Sequence, residues 1–113
     1  MPNIIPGADE LLGKGVYRGM PSDVPPPVRD RRAVVVGDPA DCAAVARQLA
    51  KAGWSVTFVT RERCGGGVRH ECRLRARTEL VCVTGIDYLE ALVLRRMDSG
   101  RIQACNASAV FIL

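Results

Sequence analysis

Aromatic residues are scarce in this chain: one Trp, two Tyr and two Phe make up 4% of its 113 residues. That predicts an aliphatic core of Val, Leu, Ile and Ala. It also removes the stacking surface that a nucleic-acid binder needs, and the net charge of +4 is too mild to replace it. Lysine is nearly absent, with two Lys against fourteen Arg. Arginine's fork suits phosphate and carboxylate, so the bias fits a phosphate-bearing ligand; a genome-wide preference for Arg explains it as well. No stretch approaches the ~18 to 20 apolar residues of a membrane span, and the amino terminus has no signal-peptide pattern. A soluble, cytoplasmic protein with no membrane partner is therefore expected. The five cysteines, at 42, 64, 72, 82 and 105, are odd in number and include no C-x-x-C, which suits free thiols in a reducing compartment. Cys64, His70 and Cys72 are too loosely spaced, with a single His, to predict a metal site. Asn106-Ala107-Ser108 matches a glycosylation triplet, but without a secretory signal the match is accidental.

What the chain does have lies between residues 32 and 61. Ala33-Val34-Val35-Val36 is a short β-branched run of the kind that both faces of a parallel sheet cover. Gly37 breaks it. Ala43, Ala46, Leu49 and Ala50 then recur at helical spacing, with Arg47, Gln48 and Lys51 between them. Gly53 ends the helix, and Val56, Phe58 and Val59 start a second strand. This is a βαβ unit, and at this length it belongs to a single α/β domain of the Rossmann-like, FAD/NAD(P)-binding class: a parallel sheet, a crossover helix and a β-hairpin or meander.

Around that unit, residues 1–31 read as an entry segment and Pro-rich connector, with Ile4, Ile5, Leu11 and Leu12 pinning it to the body and Pro25-Pro26-Pro27 stiffening it. Residues 32–113 read as the nucleotide-type domain. Residues 62–67 form a glycine-rich loop at the carboxyl end of the second strand, where open parallel sheets bind ligands. Residues 69–77 fit either a charged helix or an exposed strand, with helix preferred. Leu80-Val81-Cys82-Val83 reads as a third buried strand. Residues 89–105 read as a hairpin turning at Asp98-Ser99-Gly100, and Ala109-Val110-Phe111-Ile112 as a strand returning to the central sheet.

Several phrases in this order resemble the pyridine-nucleotide domain of the low-molecular-weight thioredoxin reductase family. They are Ile5-Pro6-Gly7-Ala8-Asp9-Glu10-Leu11-Leu12-Gly13-Lys14-Gly15-Val16, Arg32-Ala33-Val34-Val35-Val36-Gly37, Val56-Thr57-Phe58-Val59-Thr60-Arg61, Leu92-Val93-Leu94-Arg95-Arg96 and Ala109-Val110-Phe111-Ile112. The resemblance runs over nearly the whole chain. It implies NAD(P)H as cofactor and a flavin domain as partner, with FAD not bound by this domain alone. The family reduces disulfides through Cys-Ala-Thr-Cys-Asp; the corresponding stretch here, Gly19-Met20-Pro21-Ser22-Asp23, holds no thiol. Flavin-binding segments, expected on both sides, are also missing. No catalytic residue is therefore assigned, and a complete reductase is not expected.

The nucleotide-binding candidates are Gly37, Asp38, Pro39 and Ala40 at the first turn, with Arg61, Glu62 and Arg63 at the end of the second strand. Of the fingerprint G-x-G-x-x-G/A, the window Gly37-Asp38-Pro39-Ala40-Asp41-Cys42 keeps only the first glycine. Pro39 replaces the second, bringing a ring and no N–H. Asp38-Pro39 also reads as an N-cap followed by proline in the first turn, with the Asp38 carboxylate covering the amides that would hold phosphate and Asp41 adding like charge. Cys42 is small enough for close helix–strand packing. Where the family offers His-Arg-Arg and a further Arg to a ribose 2′-phosphate, this chain offers Thr60-Arg61-Glu62-Arg63. Arg61 and Arg63 suit a phosphate, Glu62 a ribose hydroxyl, and all three are equally consistent with solvated loop charge. The expected function is a nucleotide-binding domain unable to reduce disulfides alone. The alternative is a sensory or regulatory module for another nucleotide, such as a cyclic mono- or dinucleotide, or for a partner protein contacted through Arg61, Arg63, Arg69, Arg73 and residues 29–32. Homo-oligomerisation stays open.

Overall fold

The computed structural model describes residues 5–19, 31–61 and 72–113. It contains strands β1 (Val16–Arg18), β2 (Arg32–Val36), β3 (Ser55–Val59) and β4 (Cys72–Arg75), with helix α1 (Pro39–Lys51) between β2 and β3. Strands β5 (Thr78–Thr84), β6 (Ala91–Arg96), β7 (Ile102–Asn106) and β8 (Ala109–Ile112) follow. β1, β8, β2, β3 and β4 form a five-stranded sheet in that order, parallel throughout, and β5, β6 and β7 form a separate antiparallel sheet.

The alternation of side chains along each central strand explains the layering. On β2, Ala33 and Val35 face one cluster and Val34 faces the other; on β8, Ala109 and Phe111 part from Val110 in the same way. The first cluster packs against α1 through Cys42, Val45, Ala46 and Leu49, joined by Trp54, Val56 and Phe58. The second packs against the antiparallel sheet through Leu80, Val83, Leu92 and Leu94, together with Ala8 and Leu11 from the entry segment. The molecule is thus three layers, helix on sheet on sheet, and the all-apolar reading of residues 33–36 follows from cover on both faces.

The aliphatic expectation holds for the second cluster. In the first it does not: Trp54, Phe58 and Phe111 are buried there, and Tyr17 stacks on Phe111 with ring centroids 5.0 Å apart. Scarce rings are concentrated on the helix side rather than spread through the interior.

The entry segment is built into the body. Pro6 accepts a hydrogen bond from the Val83 amide (3.0 Å), Leu11 is buried, and β1 lies parallel to β8 as an edge strand of the central sheet. Leu12, by contrast, is 43% exposed, and Ile4 lies outside the described residues.

Two readings of the sequence need correcting. Where a helix was preferred over residues 69–77, the structure has β4 pairing parallel with β3 and then a turn in which Arg77 adopts φ 50°. The sequence Cys72-Arg73-Leu74-Arg75 alternates with the strand period, and charge at alternate positions suits an edge strand that must not recruit another. Residues 80–83 do form a strand, but it belongs to the antiparallel sheet. A register shift between Leu80 and Cys82 leaves Val81 and Cys82 both half-buried, while Leu80 and Val83 stay in the core. The hairpin of β6 and β7 and the return of β8 to the central sheet are as expected. Among the described residues no helix is long and apolar enough to cross a membrane.

Candidate functional site

The carboxyl ends of adjacent strands β2 and β3 define one edge of the parallel sheet, with Val36 opposite Val59 in register. The turn at Gly37 leaves this edge from β2, and Arg61 leaves it from β3. Open α/β sheets bind their ligands outside the carboxyl ends of such strands.

Gly37 is fixed by crowding. Its amide donates to the Val59 carbonyl (3.1 Å), its φ is 155°, and a Cβ added there would lie 3.0 Å from Leu113 Cβ and 3.5 Å from Cys42 Sγ. Cys42 itself is fully buried against the sheet. The first and third fingerprint positions therefore perform the packing duties of their motif: a tight turn and close helix–strand approach.

Asp38 occupies the N-cap, with φ −65° and ψ 141°, and its carbonyl receives the Cys42 amide (2.9 Å). Its carboxylate, however, makes no capping hydrogen bond. This corrects the expectation of a self-capped helix: the side chain is exposed, and the amides of α1's first turn are not covered by it. What remains unfavourable for an anion is charge and chemistry. Pro39 begins the helix without an N–H, Ala40 is exposed and contributes no side-chain donor, and Asp41 is an exposed acid within the first turn.

Arg61 is exposed and reaches across to the antiparallel sheet, where its guanidinium lies 3.9 Å from Glu79. Glu79 is held in turn by Arg95, its cross-strand partner on β6. Beside this trio the Thr78 amide donates to the Thr60 carbonyl (2.9 Å), tying the end of β3 to the start of β5. Glu79 was not singled out in the sequence. Finding it requires the register of β5 on β6 and the packing of one sheet on the other, and neither has a local signature.

Glu62, Arg63, Cys64, Arg69 and His70 lie outside the described residues, as does most of the stretch aligned with the family's redox dithiol. Among the described residues no three His, Cys, Asp or Glu side chains converge on a metal position, and Cys42, Cys82 and Cys105 are not joined in disulfides.

A parallel sheet with a crossover helix on one face and a small antiparallel sheet on the other defines a Rossmann-like α/β domain. No protein-family model and no curated protein matches the chain. Among solved structures it is similar to the thioredoxin reductase from Giardia duodenalis (TM-score 0.77, 18% identity), covering 100% of this chain and 40% of that one. It is also similar to the thioredoxin reductase from Streptococcus pyogenes (TM-score 0.75, 15% identity; 99% of this chain, 40% of that one). A third similar structure is a thioredoxin reductase from Gloeobacter violaceus (TM-score 0.73, 23% identity; 100% and 37%). At these identities the likeness establishes the fold: this is the architecture found in part of those reductases, and the chain spans about two fifths of their length.

Proposed function

We propose that the chain is a nucleotide-binding domain of the thioredoxin reductase type, which takes a pyridine dinucleotide across the carboxyl edge of its parallel sheet and cannot reduce a disulfide alone. The observation that carries this reading is the placement of the Gly37 turn and Arg61 on adjacent strand ends of that sheet, in a fold shared with reductases. Gly37 with buried Cys42 supplies the tight approach of helix to strand, and Arg61 is the described base at the strand end where this fold class meets the ribose. The fit is uneven. The strand-end basic position suits the group, whereas Pro39 and the acids Asp38 and Asp41 weaken the pyrophosphate position. Hydride chemistry would require a flavin supplied by other segments or a partner, with the nicotinamide presented to it. Disulfide reduction would require a dithiol, and the cysteines at 42, 64, 72, 82 and 105 include no closely spaced pair.

A second reading rests on the same acidic first turn. Because that turn opposes a pyrophosphate, a ligand gripped only at the arginine end, such as a cyclic mono- or dinucleotide, or a partner protein, would suit it better. A thermal-shift panel with NADH, NADPH, FAD, ATP and cyclic nucleotides separates the two. A ligand at ~100 times its dissociation constant adds about 2.7 kcal/mol of stability. A rise with NADH or NADPH supports the first reading; a rise only with a cyclic nucleotide replaces it with the second. No rise with any of them would overturn nucleotide binding.

A further inference from the structure

The two sheets end at β1, β4, β5 and β7, and all of these edges except β7 are closed or charged. β1 is three residues long, and the Gly13 amide donates to its Val16 carbonyl (2.9 Å). β4 carries arginine at alternate positions. Beside β5 the Val83 amide donates to the Pro6 carbonyl (3.0 Å), and a Cβ added at Gly7 would stand 2.2 Å from the Val83 carbonyl oxygen. β7 has none of these protections. Its five residues include no charge and no proline, and its register against β6 runs without a shift. The geometry points to β7 as a pairing edge for a second copy of this chain, joined antiparallel about a two-fold axis at Ala104. This is independent of what the carboxyl edge of the central sheet binds.

The register shows which backbone groups are available. The Arg96 amide donates to the Arg101 carbonyl (2.8 Å) and the Ala107 amide to the Glu90 carbonyl (3.3 Å). Hydrogen-bonded pairs alternate along an antiparallel ladder, so Gln103 and Cys105 bond to β6 while the amides and carbonyls of Ile102, Ala104 and Asn106 point away from it. Among the described residues no backbone hydrogen bond reaches those three. They are self-complementary. In a second copy turned about Ala104, Ile102 meets Asn106, Ala104 meets Ala104 and Asn106 meets Ile102, so every outward residue finds an outward partner. Charge favours the same occupant. On the face turned from the core, Ala104 lies beside half-buried Val93, and Val93 beside half-buried Cys82, so the row crossing the axis is uncharged throughout. The neighbouring row runs from Glu79 and Arg95 through Ile102 to Asn106, Ala91 and Thr84 of the second copy, which sets no arginine against another. Ile102, 65% exposed on this edge, is the large apolar side chain that pairing would cover.

The test is sedimentation equilibrium of this chain at rising concentration, for the wild type, Ala104→Lys and Ala104→Glu. A five-residue strand pair is small beside the ~1,200–2,000 Å² of a standard interface, so the wild type should dimerise weakly, within a range up to ~1 mM. Ala104 is exposed, and either substitution sets two like charges against each other at the axis. Each variant alone should self-associate about fivefold more weakly or less still. An equal mixture of the two variants sets opposite charges there and should recover dimer at least to the wild-type level, which a misfolded variant could not do. A wild type that stays monomeric at ~1 mM would overturn the inference. So would variants that dimerise as well as the wild type, because another surface would then be responsible, or a mixture that recovers nothing.

Discussion

The two ends of α1 are built to different standards. At its carboxyl end the carbonyls of Gln48, Leu49 and Ala50 all accept hydrogen bonds from the residues that follow the helix. The Gly53 amide donates to Ala50 (3.1 Å) and the Trp54 amide to Leu49 (3.0 Å), the paired bonds of a Schellman motif, with Gly53 at φ 99° and Trp54 in the same apolar cluster as Leu49. At its amino end the N-cap carboxylate makes no capping bond, proline replaces an amide donor, and two exposed acids gather at the positive pole of the helix. The carboxyl end serves only the fold, and its residues follow helix-ending rules closely. The amino end is where the fold class binds phosphate; there Gly37 and Cys42 meet the packing requirements, and Pro39 stands where the fingerprint has its second glycine.

Four substitutions or conditions sharpen that contrast. The largest effect is expected from Leu49→Ala, which empties a fully buried position beneath the carboxyl end and should cost about 2–5 kcal/mol in urea unfolding. Next, Gly53→Ala forces a side chain into the left-handed region and should cost about 1–2 kcal/mol by the same measurement. At the other end Asp38→Ala should cost only a few tenths of a kcal/mol, well below the ~1 kcal/mol of a working cap, because no cap bond is lost. A loss of 1 kcal/mol or more there would show that the carboxylate does cap the helix in solution, and the contrast between the ends would disappear.

The smallest effect lies far from α1, at the hairpin tip. Asp98 is held below the usual carboxylate range: slight desolvation raises it, but Arg96 at 3.2 Å and the Ser99 backbone amide more than offset that. A depressed folded pKa means the stabilisation is present above the unfolded value and is lost as pH falls through the folded one. The protection factor of the Gly100 amide, whose N–H donates to the Arg96 carbonyl, should therefore fall modestly below about pH 4 and stay flat above it.

How much of this was legible beforehand depended on whether the signal was local. The βαβ unit is written in neighbouring residues: a β-branched run, a glycine, a helical period, a second glycine. The hairpin was equally plain, because Asp98-Ser99-Gly100 sits between two apolar runs. The strand at Cys72–Arg75 was mistaken for helix because four residues of alternating charge carry too little periodicity to outweigh the helix-compatible composition around them. The sheet assignment of β5 was hidden for a different reason. Leu80-Val81-Cys82-Val83 looks continuously apolar, and only the bulge between Leu80 and Cys82 shows why. At the candidate site, motif spacing singled out Gly37, Asp38, Pro39, Ala40 and Arg61, and the structure shows only that the Gly37 turn and Arg61 leave adjacent strand ends. Glu79 was not, since its meeting with Arg61 spans two sheets.

The most direct test of the central claim is a two-dimensional amide NMR titration of the chain with NADH. The account predicts shifts gathered at the carboxyl edge of the parallel sheet, in Gly37, Asp38, Ala40 and Arg61, with the amides of β7 and of the Gly53 turn unmoved. Shifts confined to other surfaces, or none at saturating NADH, would contradict it.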